Sequence, residues 1–474
     1  MFVAIKTYSM TNKTIKADID TISKISNGRK ILFASFPADG HFNPLTGLAV
    51  YLKSIGYDVR WYTSDYYAGK TRKLGIPHYG FVRALDIRGE NIDKVFPERK
   101  NCKGTINKLN FDLINGFIKR APEFFADIEE IHTAFPFDLM IADGAFCAIP
   151  FVKEKMKKPV IAVGIFPLAE TSTDLPPNGL GMTPSYSFAG RIKQAALRWV
   201  ANNALLKKSN KVLAEVCKTH GIRYAGGDVF NFIIKSATLV MQSGTAGFEY
   251  ERSDRGSNIR FIGPLVPHTP VSKNAPWFNE KLNQYEKVIL VTQGSVEKDV
   301  EKLLVPALRV FRDTNVLVVA VTGGTGKDAL RVRFPQSNLI IEDFIPFEDI
   351  MPYADVFITN GGYGGVLLAI ENELPIVAAG VHEGKNEINA RIGFFKLGID
   401  LKTEKPRPSQ IRKAVGKVLT DRTFKRNVSR LATEFSRYHP NELCARYVNE
   451  ILQGDEKMKV LEEKAAFTFI EVTE

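Results

Sequence analysis

The sequence has no apolar run long enough to cross a membrane as a helix, which takes about 18 residues or more. Its first residues, MFVAIKTYSMTNKTIKADID, have neither the apolar core nor the cleavage site of a secretory signal peptide. The four cysteines (Cys102, Cys147, Cys217 and Cys444) form no CxxC pair and have no histidine at zinc-site spacing. We therefore expect a cytoplasmic protein with reduced cysteines, without disulfides and without a metal.

Dense runs of one charge sign are also missing, although the formal net charge is +12. Lysines and arginines are spread over the whole length, and no aromatic RNA-binding signature accompanies them. This distribution predicts no nucleic-acid partner. It fits a solvated basic surface that attracts small anions or makes weak peripheral contact with an anionic membrane.

What the sequence does contain is one pattern repeated in two halves. RKILFASFP and KVILVTQGS each read as a short buried strand followed by a loop, and helical patterns alternate with further strands in both halves. In the first half the helical pattern begins at Pro44. Such alternation predicts parallel sheets with right-handed crossovers. The fold class is therefore α/β, with two doubly wound Rossmann-like domains facing each other across a cleft.

The chain of 474 residues exceeds the roughly 250 to 300 at which a single core stops growing, so two domains are expected. Four prolines between positions 264 and 276 mark a linker. The predicted segments are an extension (1–28), a first domain (29–263), the linker (264–286), a second domain (287–440), a final helix (441–454) and a tail (455–474).

Five loops follow predicted strands, at the sheet edge where doubly wound domains bind ligands. They are PADGHFNP, DGAF, TQGS, TGGTG and NGGYGG. Glycine-rich turns before a helix suit a phosphate, although they are also common as simple tight turns. None matches GxGxxG or GxxxxGK[ST], so neither a nicotinamide fingerprint nor a nucleoside-triphosphatase loop is indicated.

The ordered series GHFNPL, IADGAF, TQGS, FIPFEDIMPYADVFITNGGYGG and LPIVAAGVHEGKNEINARI resembles the UDP-glycosyltransferase superfamily (glycosyltransferase family 1, GT-B fold). The resemblance covers roughly residues 29–452. Within the superfamily, the NGGYGG turn is similar to a bacterial and fungal subgroup that glycosylates small lipophilic acceptors. The resemblance implies that the first domain holds the acceptor and the second the nucleotide sugar. It also implies that the final helix crosses back to the first domain.

The resemblance implies two catalytic residues, His41 and Asp143. His41 matches the family's general base, in the loop after the first strand, and Asp143 matches the carboxylate that orients the histidine. Direct attack would invert the anomeric centre. Read without the family, His41 caps the next helix and Asp143 caps a turn.

Donor-binding residues are implied in the second half. They are Gly294, Ser295, Phe344, Ile345, Asn360, Gly362, Gly364, Gly365, Glu383, Lys385 and Asn386. The glycine amides and Ser295 would contact phosphates, Phe344 would stack on the base, and the 383–386 segment would read the sugar. Alternatively, Phe344 is ordinary core and the 383–386 segment is only an exposed charged loop.

Four positions depart from the common family pattern. Asn360 stands where most members have a phosphate-contacting histidine, and Gly365 replaces a serine or threonine. Leu368 falls at the place of a ribose-binding glutamate, and Lys385-Asn386 replaces an Asp-Gln pair. These departures leave the donor sugar as the least transferable part of the resemblance.

The expected partners are a UDP-linked nucleotide sugar, with glucose favoured, and a small lipophilic or polyphenolic acceptor. No further cofactor is expected, and the chain is a monomer or a homodimer. Two alternatives stay open: a non-catalytic GT-B helper or binding protein, and a nucleotide-sugar 2-epimerase. Hydrogen-bond contact between His41 and Asp143 would favour the enzyme over the helper.

Overall fold

The computed structural model describes residues 28–89, 91–268, 276–294 and 296–454. Several predicted features lie outside these ranges: the extension except Gly28, part of the linker, Ser295 and the tail. Within the described residues, the four cysteines are free thiols.

Two parallel sheets organise the described residues. The first has the order β3-β2-β1-β4-β5-β6-β7 and the second β10-β9-β8-β11-β12-β13. The first is built from β1 (Lys30–Ala34), β2 (Asp58–Tyr62), β3 (His78–Tyr79), β4 (Leu139–Asp143), β5 (Val160–Gly164), β6 (Leu239–Ser243) and β7 (Ile259–Gly263). The second is built from β8 (Val288–Thr292), β9 (Leu317–Val321), β10 (Leu339–Glu342), β11 (Val356–Thr359), β12 (Ile376–Ala378) and β13 (Gly398–Asp400). The predicted pair of doubly wound α/β domains is confirmed.

Helices connect the strands. They are α1 (Asp39–Ser54), α2 (Ala68–Lys73), α3 (Ile92–Val95), α4 (Thr105–Asp112), α5 (Ala121–Ala134), α6 (Ile149–Lys155), α7 (Phe188–Val200), α8 (Lys207–Thr219), α9 (Val229–Ser236), α10 (Leu304–Phe311), α11 (Lys327–Arg333), α12 (Phe347–Ile350), α13 (Tyr363–Glu371), α14 (Lys385–Phe394), α15 (Pro408–Thr420), α16 (Arg422–Phe435) and α17 (440–454). Single turns of 3-10 helix lie at Asp65–Tyr67, Pro97–Asn101, Ile118–Arg120, Ala246–Phe248, Glu280–Asn283 and Met351–Tyr353, and π-helical turns at Leu113–Phe117 and Ala201–Leu205.

Each sheet separates two hydrophobic cores, because successive side chains of a strand point to opposite faces. In β1, Leu32 and Ala34 pack into one core, whereas Ile31 and Phe33 pack into the other. The central strands are apolar on both faces because helices cover both sides of a parallel sheet. This is why the strands read as continuous apolar runs in the sequence.

Helix α17 returns from the second half of the chain to the first sheet. Its Cys444, Val448 and Leu452 are buried in the core that also contains Leu45 and Leu48 of α1. The spacing of four residues places all three side chains on one face of the helix. The last helix therefore completes the core of the first domain.

The two halves of the chain also touch directly. The hydroxyl of Tyr363, the first residue of α13, donates to the backbone carbonyl of Ser243 at the end of β6 (2.9 Å). Phe248 is buried in a core of the second sheet, and its ring contacts those of Tyr363 and Phe395. Phe248, a residue of the first half, thus contributes to a core of the second sheet. The domain boundaries read from the sequence stay a prediction.

A buried ionic network lies between the halves. The Arg391 guanidinium on α14 donates to Glu249 Oε2 from Nη2 (2.9 Å) and from Nε (3.1 Å), and Nη1 lies 3.1 Å from Glu387 Oε2. The second oxygen of Glu249 accepts the backbone N–H of Leu168 (2.8 Å). Burial alone would lower the pKa of Arg391, but the two glutamates raise it overall. The buried guanidinium therefore stays charged and joins α14 to the first domain.

Removing this guanidinium should destabilise the protein. The substitution Arg391→Met removes the nearer of two buried cations from Glu249, whose Oε2 also lies 3.6 Å from Arg252 Nη1. Breaking a buried pair costs at most about 3 to 5 kcal/mol. We expect a clearly lower midpoint of urea unfolding. Arg430→Met, at an exposed position of α16, serves as the control and should leave the midpoint nearly unchanged. Equal midpoints for the two variants would show that the network adds no stability.

Candidate active site

The two predicted catalytic residues are in hydrogen-bond contact. Strands β1 and β4 are parallel neighbours in the first sheet, with Ile31 opposite Leu139. Asp143 is the last residue of β4, and the chain leaving β1 enters α1, which carries His41. The His41 Nδ1 to Asp143 Oδ1 distance is 2.9 Å. The sheet thus joins two side chains that are 102 residues apart in the sequence.

The local setting of His41 differs from the prediction. The sequence places His41 in a loop before a helix that starts at Pro44. In the structure α1 begins at Asp39, so His41 lies in its first turn and Pro44 lies inside the helix. Pro44 is the sixth residue of α1, so it removes one intrahelical hydrogen bond, the one that an N–H at this position would make to the Gly40 carbonyl. His41 is therefore held on a regular element.

Asp143 has the environment of an orienting carboxylate. Its side chain is fully buried, and Oδ2 accepts the backbone N–H of Phe36 (2.7 Å) while Oδ1 also accepts that of Ala145 (2.9 Å). A carboxylate held in this way accepts the Nδ1–H of His41, which selects one tautomer of the imidazole. Nε2 is then the ring nitrogen left to accept a proton. The His41 side chain is 22% exposed, so a ligand can reach it.

A row of half-buried phenylalanine rings begins beside His41. The Phe36 ring lies 5.3 Å from that of His41 and stacks on Phe117 at 5.0 Å. Phe230 then contacts Phe117 at 5.5 Å and Phe166 at 5.7 Å. Sequence reasoning missed these rings as a group. Phe36 and Phe166 each follow the end of a strand by two residues, and that position is the signal that could have found them.

The NGGYGG turn forms the start of α13. Gly361 has a φ of +93°, and a Cβ there would lie 2.0 Å from Oδ1 of the buried Asn389, so only glycine fits. Gly362 is the N-cap residue of α13, and the space beside Gly362 and Gly364 is open. Gly365 lies near the ring of Phe357. The first N–H groups of α13 are thus available at an accessible helix start.

Asn360 joins two of the predicted donor loops. Its Nδ2 donates to the backbone carbonyl of Gln293, which precedes Gly294 after β8. Gly294 has a φ of +73° and donates its N–H to Thr292 Oγ1 (3.2 Å). Asn360 is buried, so in this structure its amide holds two loops together.

Phe344 and Ile345 have opposite environments. Phe344 is 72% exposed, and its ring lies over Gly324, where a Cβ would approach Cζ to 3.2 Å. The alternative that Phe344 is ordinary core is therefore wrong, because the TGGTG loop supports the ring from one side only. Ile345 is buried in the core of the second domain, so it can present only its backbone to a ligand.

Lys385 and Glu383 form an ion pair. Lys385 Nζ lies 2.6 Å from Glu383 Oε2, and the Lys385 side chain is largely buried whereas Glu383 is exposed. The loop before them is held by Glu404, whose Oε1 accepts the N–H groups of Val381 (2.5 Å) and His382 (2.9 Å). Burial alone raises the pKa of Glu404, but these N–H groups and nearby cations lower it overall, so it stays ionised.

Asn386 reaches the first domain. Its Nδ2 donates to the backbone carbonyl of Gly179 (2.8 Å), within the long segment between β5 and α7. Glu387, which sequence reasoning missed, accepts the N–H groups of Gly179 (2.9 Å) and Gly181 (2.8 Å). No sequence pattern signals this contact, because its partners are some 200 residues apart. The segment predicted to read the sugar is thus tied to the first domain.

Within residues 28–89, 91–268, 276–294 and 296–454, no group of three or more His, Cys, Asp or Glu side chains is arranged to hold a metal ion. The same residues include no helix that combines the length and the apolar character needed to span a membrane.

Known proteins resemble this chain in sequence. Residues 313–450 match the family model for the erythromycin biosynthesis protein CIII-like C-terminal domain. The chain is 32% identical over 410 residues to 4'-demethylrebeccamycin synthase of Lentzea aerocolonigenes, covering 86% of this chain and 96% of that protein. It is 29% identical over 444 residues to UDP-glucosyltransferase 1 of Beauveria bassiana (strain ARSEF 2860), covering 88% and 94%.

The fold also has a close match among solved structures. The glycotransferase of kitacinnamycin aligns with a TM-score of 0.69 and 16% identity, over 90% of this chain and 99% of that one. At this identity the likeness concerns the fold alone, and that fold is GT-B. The sequence likeness to 4'-demethylrebeccamycin synthase extends over 96% of that protein. The chain therefore belongs to the UDP-glycosyltransferase superfamily.

Proposed function

We propose that this protein transfers glucose from UDP-glucose to a hydroxyl group of a small lipophilic or aromatic natural product, with inversion at the anomeric carbon. The observation that carries the proposal is the 2.9 Å contact between His41 Nδ1 and the fully buried Asp143. His41 acts as the general base and Asp143 as the residue that orients it.

In the proposed reaction the acceptor hydroxyl gives its proton to Nε2 of His41. Its oxygen forms a bond to the anomeric carbon while the bond from that carbon to the β-phosphate oxygen breaks, and UDP leaves with the electron pair. Asp143 stabilises the imidazolium that forms, because its Oδ1 accepts the Nδ1–H. An attack opposite the leaving group converts an α-linked donor into a β-glycoside.

The departing diphosphate would be held at the start of α13. The amides of Gly364 and Gly365 lie in the first turn of this helix, where unpaired N–H groups and the helix dipole favour an anion. This supports a donor that leaves as a diphosphate. The role of Ser295 stays a prediction, since this residue lies outside the described ranges.

The character of the acceptor is suggested by the phenylalanine row next to His41. Four half-buried rings, Phe36, Phe117, Phe166 and Phe230, form a continuous apolar surface that starts at the proposed base. Flat or lipophilic molecules bind such surfaces because they remove apolar area from water.

A neutral sugar fits the 383–386 segment better than an acidic one. The Lys385 ammonium is already paired with Glu383 at 2.6 Å, so it is not free for a sugar carboxylate. The Glu383 carboxylate is exposed and can accept hydrogen bonds from sugar hydroxyls. The relative named UDP-glucosyltransferase 1 supports glucose as that sugar.

We also propose a cytoplasmic location, with which four free thiols are compatible.

The proposal is tested by a screen of nucleotide sugars against lipophilic and polyphenolic acceptors, with products detected by mass spectrometry. UDP-glucose with at least one acceptor should give a glycoside, and His41→Ala should lower the rate by about a hundredfold or more. A screen without any glycoside would instead favour a non-catalytic helper. Hydrolysis or epimerisation of the donor without an acceptor would favour an epimerase.

A matched histidine is available as the control for that screen. His78 on β3 also contacts an aspartate, with Nε2 3.1 Å from Asp65 Oδ1, but Asp65 is exposed. His78→Ala removes the same side chain from the same domain and should keep nearly full activity. If both alanine variants are equally active, His41 is not the base.

Asp143→Asn should lower kcat by roughly a thousandfold with little change in the KM of the donor. Asparagine keeps the shape of the side chain but replaces one carboxylate oxygen by an NH2 donor. The side chain then no longer fixes the tautomer of the His41 imidazole, and it no longer supplies a negative charge to the imidazolium. Steady-state kinetics of the folded variant measures both constants. A variant that raises only KM would assign Asp143 to binding.

Phe344→Ala should raise the KM for UDP-glucose about tenfold, because stacking of a base on an aromatic ring contributes about 1 to 3 kcal/mol. The fold should not change, since the ring is mostly exposed. Phe278→Ala, at another exposed phenylalanine, is the control. An unchanged KM would exclude stacking on Phe344.

A further inference from the structure

Helix α7 exposes a stripe of large apolar side chains to solvent. Phe188 is 83% exposed, Ile192 57% and Trp199 67%. At 3.6 residues per turn, these three positions lie within about 40° of one another around the helix axis. Exposed apolar residues are ordinary when scattered, but three large ones on one helix face mark an interaction surface.

The opposite face of α7 is fastened to the first domain by polar contacts. Gln194 is buried, and its side chain accepts the N–H of Ser185 (2.6 Å) and donates to the carbonyl of Asp174 (2.9 Å). Arg198 donates to the carbonyl of Leu175. These contacts hold the polar side of α7 against the first domain. The apolar stripe, on the other side of the helix, therefore faces solvent.

Basic residues outnumber acidic ones around the stripe. Between positions 175 and 214 the sequence contains six lysines and arginines and no aspartate or glutamate. Lys193 lies on α7, and Lys207, Lys208 and Lys211 lie on α8, which follows after the π-helical turn; all four are exposed. Two acidic residues at the edges of this segment compensate part of the charge: Asp174 lies 3.5 Å from Arg191, and Glu215 lies 3.9 Å from Lys211. A net positive charge remains beside the apolar stripe, so the even spread expected from the sequence does not hold here.

We propose that the outer face of α7 docks this protein on an anionic phospholipid surface. Aromatic and aliphatic side chains enter the boundary between headgroups and acyl chains, while lysines on either side contact lipid phosphates. Tryptophan suits this position because its ring is apolar and its N–H is polar. The charge of the face matches that of such a membrane, and the proposal is independent of the proposed transfer reaction.

A second copy of the chain is a poorer occupant of this face. In a two-fold dimer the same surface contacts itself, so the lysines of α7 and α8 would face each other. Like charges placed together across an interface are unfavourable. The six lysines and arginines between residues 175 and 214 have only two acidic partners, Asp174 and Glu215, so the face keeps a net positive charge. An anionic bilayer offers the opposite charge over the whole area.

The exposed hydrophobic area continues next to this segment. Asn110 on α4 donates to the carbonyl of Leu205 (2.6 Å) and accepts the N–H of Ser209 (3.1 Å), which holds α4 beside the start of α8. Ile106 and Leu109 of α4 are also exposed. The apolar surface thus has a second contribution from an adjacent helix, which increases the area that can enter the headgroup layer.

The proposal is tested by co-sedimentation of the full chain with vesicles. Vesicles of phosphatidylcholine mixed with phosphatidylserine should bind the protein at low salt, vesicles of phosphatidylcholine alone should bind it much less, and added salt should weaken the binding. The double variant I192S/W199S should reduce binding at least about tenfold, because it removes two of the three exposed apolar side chains. K207E/K208E should weaken binding to the anionic vesicles specifically.

Fluorescence gives an independent readout of the same contact. The chain has three tryptophans, of which Trp61 is fully buried and Trp277 half-buried, so Trp199 should dominate any blue shift on adding anionic vesicles. Val332→Ser is the control, since Val332 is 83% exposed but lies on α11 of the second domain. This variant should bind vesicles like the unmodified protein.

Three results would overturn the proposal. The first is no binding to anionic vesicles at low salt. The second is binding that I192S/W199S leaves unchanged. The third is self-association in sedimentation velocity that I192S/W199S abolishes while vesicle binding persists, which would assign the stripe to a protein interface. Circular dichroism of each variant should match that of the unmodified protein, because the substituted side chains are exposed.

Discussion

The parallel pairing of β1 with β4 is the constraint on which the proposed chemistry depends. Because both strands run in one direction, the chain leaves them at the same edge of the sheet, and the end of β4 meets the turn before α1. The Asp143 carboxylate then accepts from the Phe36 N–H and from His41 at once. β8 and β11 are paired in the same way, and Asn360 bonds to the carbonyl of Gln293 there. One topological rule thus assembles a site in each half.

The contacts between the halves fix the position of the 383–386 segment, which is proposed to contact the sugar. Along α14, Asn386 and Glu387 bond to the backbone at Gly179 and Gly181, and Arg391 bonds to Glu249. Lys385 stays within its own domain, paired with Glu383. A helix that carries proposed donor contacts therefore also carries much of the domain interface. Asn386, which departs from the common family pattern, is one of the residues that make this interface.

Much of the fold was predictable from the sequence. Strands buried on both faces are continuous apolar runs, and the alternation of strands with helices implies a parallel sheet. The pairing of His41 with Asp143 was predictable from the family resemblance. It depends on β1 and β4 being neighbours in one parallel sheet, and the alternation of strands and helices predicts a parallel sheet. The start of α1 at Asp39 was not predictable from Pro44, since proline is typical of the first helical position, whereas here it is the sixth residue of the helix. The exposure of Phe344, the phenylalanine row and the Arg391 network depend on packing between distant segments, which periodicity does not encode.

Helix α17 contributes Cys444, Val448 and Leu452 to a core whose other strand and helix members come from α1, β1, β2 and β4 to β7. These partners leave the ribosome before the whole second domain is made, whereas α17 follows it. During synthesis the first domain must therefore wait with an apolar groove uncovered on one side of its sheet. That groove closes only when the later domain has emerged, so the final helix couples completion of the first domain to production of the second.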